Sequence, residues 1–125
     1  RNHTSIPIAV DESLTDFHSA EKIMNAQAAN VFIIKPTVSG GFTTCSKIVE
    51  MATTEKIISV ITSSLEGPIG LSACAHFASA LSIDEVCGLS TASLFEDSFS
   101  SPFSIKKGVF YLSQKPGLGV GINVA

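Results

Sequence analysis

Charge is scarce in this chain. Asp, Glu, Lys and Arg make up 15% of its 125 residues, against roughly 25% in an average globular domain, while 45% are hydrophobic. So much apolar surface suits a protein covered on several sides, or a segment of something larger. The eight Lys and Arg are spread along the chain and the net charge is −3, so no basic cluster points to nucleic acid. No apolar run reaches the roughly 18 residues that a membrane-spanning helix needs. There is no signal-peptide pattern. The chain opens on Arg1-Asn2-His3 rather than Met, as expected of a fragment or processed segment.

Metal-binding residue types are just as thin. Cys45, Cys74 and Cys87 are odd in number, lack C-x-x-C spacing and sit in apolar stretches. They read as small buried hydrophobes rather than metal ligands or disulfide partners. Reduced thiols suit the cytosol or an organelle interior. His3, His18 and His76 are far apart, share no ligand spacing, and read as surface or capping residues.

What is present is organised around Val31-Phe32-Ile33-Ile34-Lys35-Pro36 and the Ser39-Gly40-Gly41 that follows. Four apolar residues read as a strand buried on both faces. Pro36 has no N–H for a sheet ladder, so the strand is expected to end near Lys35. A lysine there either snorkels to solvent or is aimed into a site. Similar apolar runs begin near residues 6, 57 and 86. Helical periodicity separates them: Phe17, Ala20, Ile23 and Met24 over about 16–28, behind an Asp16 N-cap; then Phe42, Cys45, Ile48, Val49 and Ala52; then Ile69, Ala73, Cys74, Phe77 and Leu81. Strands at 6–10, 31–35, 57–62 and 86–89 alternating with helices imply a parallel sheet with right-handed crossovers. A helical turn is expected around 92–96. Beyond residue 100 the pattern changes: 98–104 reads as a polar link, and 109–112 and 120–124 read as hairpin arms or an extended tail around Gln114-Lys115-Pro116-Gly117-Leu118-Gly119.

A polar cluster follows each strand: Asp11-Glu12-Ser13, Lys35, Thr62-Ser63-Ser64 and Ser90-Thr91. In a parallel sheet these converge on one rim, which in barrels is the active face. The serines alone read as ordinary turn chemistry; the carboxylate and the lysine point to function. Asp11 suits a hard cation such as Mg²⁺, and Glu12 either joins it or faces away. Ser39-Gly40-Gly41 reads as a tight turn, with an anion site at the following helix as the alternative. Glu66 reads as structural, placed for the positive end of the third helix.

Four motifs carry a resemblance: Ile8-Ala9-Val10-Asp11-Glu12-Ser13-Leu14, Ile34-Lys35-Pro36-Thr37-Val38-Ser39-Gly40, Ile61-Thr62-Ser63-Ser64-Leu65-Glu66, and Gly88-Leu89-Ser90-Thr91. In order and spacing they resemble the o-succinylbenzoate synthase family of the enolase superfamily. Pro116-Gly117-Leu118-Gly119-Val120 resembles that family's C-terminal segment. Muconate cycloisomerases and dipeptide epimerases or racemases share the barrel and remain alternatives. The resemblance implies an α/β fold, the C-terminal half of a (β/α) TIM-type barrel with four parallel βα units, plus a β-hairpin or tail of the capping domain. The expected division is 1–97 partial barrel and 98–125 linker and capping tail.

The resemblance further implies that Asp11 is the last of three carboxylate ligands for Mg²⁺. Lys35 matches the second of two active-site lysines, facing the metal and the other lysine, so its pKa is expected to fall. Thr62, Ser63, Ser64 and Gly88 match the rim that contacts the substrate's succinyl part. The implied reaction is a lyase step of menaquinone or phylloquinone synthesis: dehydration of a succinyl-hydroxycyclohexadiene carboxylate to o-succinylbenzoate by proton abstraction beside the carboxylate. One departure is Ser90, where the family has Asp in Gly-Leu-Asp-Thr. The family's base and two earlier metal ligands have no counterpart here. The chain alone is therefore expected to be inactive, and to need the N-terminal half of the barrel or a complementing chain. A non-catalytic half-barrel module is the remaining alternative.

Overall fold

Three short parallel strands, each followed by a helix, form the frame on which the rim residues sit. A computed structural model describes residues 3–94 and 104–119. Strand β1 is Ala9–Val10, α1 Phe17–Asn25, β2 Val31–Ile34, α2 Gly41–Thr54, β3 Ile58–Ile61 and α3 Pro68–Ala80. A 3₁₀ turn follows at Thr91–Leu94, then β4 Ser104–Lys106 and β5 Val109–Tyr111. The sheet order is β1-β2-β3, all parallel, with Val10 beside Phe32 and Phe32 beside Ser59.

Alternation along β2 and β3 separates two faces. Phe32, Ile34 and Ile61 are fully buried and join Ala20, Ile48 and Leu71 from the helices in one core. Val31, Ile33 and Val60, on the other face, are only half-buried, and Ile58 is 42% exposed. The run at 31–34 is thus buried on one face rather than on both. Among the described residues the second face is only partly covered, and in a closed barrel it would point inward.

Each helix returns to the sheet by the same device. Gln27, Lys56 and Ser82 adopt left-handed backbone with φ of 50°, 57° and 51°. The residue after each one donates its N–H back across the last turn: Ala28 to Ile23, Ile57 to Ala52 and Ile83 to Ala78, at 2.8 to 3.1 Å. These are Schellman-type stops without glycine, which is why α1 ends at Asn25 and not near 28. At its other end Asp16 accepts from the Ser19 amide at 2.7 Å, while the Ser19 hydroxyl accepts from the Asp16 amide at 3.0 Å.

The sheet is shorter at both ends than the apolar runs suggest. Pairing on the first strand begins only at Ile8, whose carbonyl accepts from Asn30 and Val31. Pro7 just before it has no N–H to offer, and Ile6 is 71% exposed. The fourth strand is reduced to one parallel bridge between Thr62 and Gly88. Gly88 has no side chain to pack and Val86 is 92% exposed, so the run at 86–89 does not propagate.

The tail forms a hairpin at a place where the sequence reading did not put one: Val109–Tyr111 pairs antiparallel with Ser104–Lys106 across Lys107-Gly108. Both turn residues have positive φ, 50° and 78°, the two-residue hairpin geometry that matches strand twist. Residue 104, expected in a polar link, starts that hairpin. The second expected arm, at 120–124, lies outside the described residues; of the helical turn expected at 92–96, residues 92–94 lie in the 3₁₀ turn Thr91–Leu94 and residues 95–96 lie outside the described residues. Phe110 and Leu112 pack against the core, and the Ser72 hydroxyl donates to the Leu118 carbonyl at 2.6 Å.

The isolated 125-residue chain is expected to self-associate, because it presents an apolar sheet face and an unpaired β1 edge. Analytical ultracentrifugation checks this. A sharp monomer boundary with cooperative unfolding would contradict it.

Candidate functional site

The C-terminal ends of β1 and β2 bring the carboxylates and the lysine together. Pro36, buried directly after Lys35, ends the ladder, and the Lys35 carbonyl accepts from the Val38 and Ser39 amides as the chain turns. The Lys35 ammonium lies 2.7 Å from Asp11 Oδ1 and 2.8 Å from Glu12 Oε1. Its side chain is only 16% exposed, against 46% for Asp11 and 87% for Glu12. It is therefore not the solvated lysine that a strand end allows. The Asp11 hydrogen bond, then that of Glu12, lifts its pKa above the usual lysine value. The expected fall assumed a metal ion and a second lysine facing it; here two carboxylates face it instead.

The loop after β3 is knitted inward. The Thr62 amide donates to Ile34 O, and its hydroxyl donates to Gly88 O at 2.9 Å. A Cβ on Gly88 would collide with that hydroxyl, so glycine is what admits Thr62 to this position. Ser63 is buried, its hydroxyl 2.7 Å from that of Thr91. Ser64 is exposed on the rim. Thr62, Ser63, Gly88 and Thr91 thus form one hydrogen-bonded group, and Asp11, Glu12 and Lys35 form another.

Glu66 and Thr37 were not singled out as rim residues in the sequence. The Glu66 carboxylate takes the Thr37 hydroxyl at 2.5 Å and the Ser64 amide at 2.5 Å, instead of only facing its helix end. The signal that could have revealed it is Gly70, one turn further on, where any side chain would strike the Glu66 stem. Ser39 is fully buried with its hydroxyl on the Leu14 carbonyl at 2.9 Å, so it braces the loops after β1 and β2 as a turn residue. His76 is not a surface residue as expected: its Nε2 is buried, with no hydrogen-bond partner among the described residues. A cavity of about 380 Å³, lined by Pro36, Thr37, Gly40, Phe42, Gly70 and Cys74 among others, lies between the β2 loop and α3. Neither Asp11 nor Lys35 lines it.

Among the described residues no group of three or more His, Cys, Asp or Glu is placed to hold a metal ion. Asp11 has the right chemistry for one oxygen ligand of Mg²⁺, but two carboxylates already paired to an ammonium do not make an octahedral site. The residues here do not hold the ion by themselves. No described helix is long and apolar enough to cross a membrane.

Burial pushes the Cys45 thiol up to about 11 and the Cys74 thiol up to about 12, the latter also facing Glu66. Both are expected to resist a disulfide reagent at neutral pH in the folded chain and to react once it is unfolded. Thiol titration with and without denaturant checks this. Prompt labelling of either cysteine in the native chain would show that its side of the core opens readily.

The family model for Enolase C-terminal domain-like proteins matches residues 1–125. The chain belongs to that family. Muconate cycloisomerase 1 of Rhodococcus opacus is 35% identical over 121 residues, 95% of this chain and 32% of its own length. The o-succinylbenzoate synthase of Mycobacterium tuberculosis is 32% identical over 103 residues, 82% of this chain and 31% of its own. Among solved structures, N-succinyl Arg/Lys racemase from Bacillus cereus superposes with a TM-score of 0.86 at 26% identity, covering 98% of this chain and 33% of that one. This enolase-family chain spans about a third of the length of the curated relatives it matches. Its fold is that of the C-terminal part of the TIM-type barrel in those structures, with a parallel sheet at its centre.

Proposed function

We infer that the chain supplies the C-terminal part of the catalytic barrel of an o-succinylbenzoate synthase-like lyase. The observation that carries this reading is the Lys35 ammonium sheltered on Asp11 at the ends of two adjacent parallel strands. The o-succinylbenzoate synthase relative supports the substrate class. On this reading the substrate is the succinyl-hydroxycyclohexadiene carboxylate. The proton beside its carboxylate goes to a base outside this chain, the electron pair forms the double bond that completes the aromatic ring, and the C–OH bond breaks, the hydroxyl taking the proton back from the protonated base and leaving as water. Lys35 stays charged and lies over the planar anion as it develops. Thr62, Ser63, Ser64 and Gly88 shape the rim around the succinyl arm. Asp11 is one ligand of Mg²⁺, completed by groups outside this chain; when bound, that ion supplies positive charge to the carboxylate oxygens. The tail from residue 98 joins the capping domain, and the half-covered sheet face meets the rest of the barrel or a complementing chain.

A sibling activity is favoured by one observation: the muconate cycloisomerase relative matches more of the chain at higher identity. Turnover assays on the protein with its barrel completed decide between them. The expected result is a higher kcat/KM for the succinyl substrate than for muconate or for a dipeptide. The reverse order would overturn the lyase reading and leave the acid–base apparatus in place.

A further inference from the structure

The two groups at the rim, Asp11–Glu12–Lys35 and Thr62–Ser63–Gly88, stand on different loops. At their base the Thr62 amide donates to the Ile34 carbonyl; further out, Glu66 joins the loops after β2 and β3 through its side chain. One oxygen accepts from Thr37, two residues beyond Lys35, and the other accepts from the amide of Ser64. The Ser64 amide can only donate, and the hydroxyl of Thr37 donates here, so the junction calls for two acceptors in one plane. A carboxylate meets that need. Its stem has room because residue 70 is glycine: a Cβ there would come within 2.5 Å of Glu66 Cβ and 2.8 Å of its Cγ. Those atoms are at the base of the side chain and cannot swing away without moving the carboxylate.

We propose that Glu66, seated against Gly70, is a positioning residue: it ties the loop after β2 to the loop after β3 and fixes the gap between Lys35 and Ser63–Ser64 across the rim. It rests on the proposed function for its substrate, since that gap then receives the succinyl arm. Glu66 touches no reacting atom. Lys35 is held separately by Asp11 and Glu12, so loosening the tie moves the binding side of the gap more than the chemical side. Loss of Glu66 therefore falls on KM more than on kcat.

The test uses the protein with its barrel completed and three variants: Glu66→Ala, Glu66→Gln and Gly70→Ala. Gly70→Ala favours the helix by propensity yet displaces Glu66, so it separates positioning from general loss of stability. Glu66→Gln keeps an acceptor for Ser64, and its amide can donate to the Thr37 oxygen, so it is the conservative rescue. Hydrogen exchange at the Ser64 amide, read without substrate, is expected to quicken about tenfold in Glu66→Ala and Gly70→Ala on loss of the hydrogen bond. KM for the succinyl substrate is expected to rise about tenfold or more in both, with kcat within about threefold, as for a misplaced binding group. Glu66→Gln is expected to stay near wild type in both. Unchanged Ser64 exchange in Glu66→Ala and Gly70→Ala would overturn the tie. Faster exchange with unchanged KM would show a purely structural tie and overturn the positioning role. Wild-type protein inert toward the succinyl substrate would overturn the lyase reading alone; the KM comparison is then made on the muconate or dipeptide substrate it does turn over.

Discussion

Lys35→Ala and Lys35→Arg, made in the protein with its barrel completed, are each expected to lose at least about 10²-fold in kcat, the scale of removing one electrostatic stabiliser from a developing anion. The ammonium is compact and sits 2.7 and 2.8 Å from two carboxylates, and its stem runs from the end of an apolar strand. Alanine removes the charge. Arginine keeps it but spreads it over a planar fork that does not fit the same point. The two variants should therefore agree in activity and differ in stability. Asp11 and Glu12 are 46% and 87% exposed, so leaving them unpaired in Lys35→Ala costs only about 0–1 kcal/mol. Arginine should restore even that. The raised Lys35 pKa has a definite sign. The pair's stabilisation is fully present below the ordinary lysine value and is lost only as pH rises through the higher folded value. In this chain the lysine stays charged across the neutral range. Near-wild-type turnover in Lys35→Ala would remove the core of the functional reading.

Asp11→Asn should be more damaging still, lowering kcat by about 10³-fold or more if it removes several kcal/mol of metal-borne charge stabilisation. Asparagine keeps the size of the side chain and loses its charge. Glu12 still holds Lys35 at 2.8 Å, so the fold and the lysine's place should persist. The distinguishing measurement is the Mg²⁺ concentration needed for half-maximal rate, which should rise steeply. Titration calorimetry on the isolated chain should show no tight Mg²⁺ site, since no group of three candidate ligands exists among its described residues. An Asn variant with unchanged Mg²⁺ dependence would remove Asp11 from the metal.

Much of this arrangement was legible locally. Pro36 after four apolar residues marks the end of β2 and puts Lys35 at the rim. Asp16 marks the start of α1 in the same way. Stop signals were harder to read, because Gln27, Lys56 and Ser82 take the left-handed position that glycine usually signals. The turn at Lys107-Gly108 was passed over because it shows only one glycine, against Pro116, Gly117 and Gly119 in the segment that follows.

The sequence by itself determined the order of the βα units, the strand that carries Lys35 and the rim on which the polar residues gather. Apolar periodicity and backbone stereochemistry are local, and burial enforces them. Tertiary structure alone decided which polar groups meet. Lys35 reaches Glu12 across 23 positions, Thr37 reaches Glu66 across 29, and Thr62 reaches Gly88 across 26. Each of those side chains would be well solvated elsewhere, so no local preference selects its partner. Strand register and helix packing set the distances, and the hydrogen bonds form where those distances fall within reach.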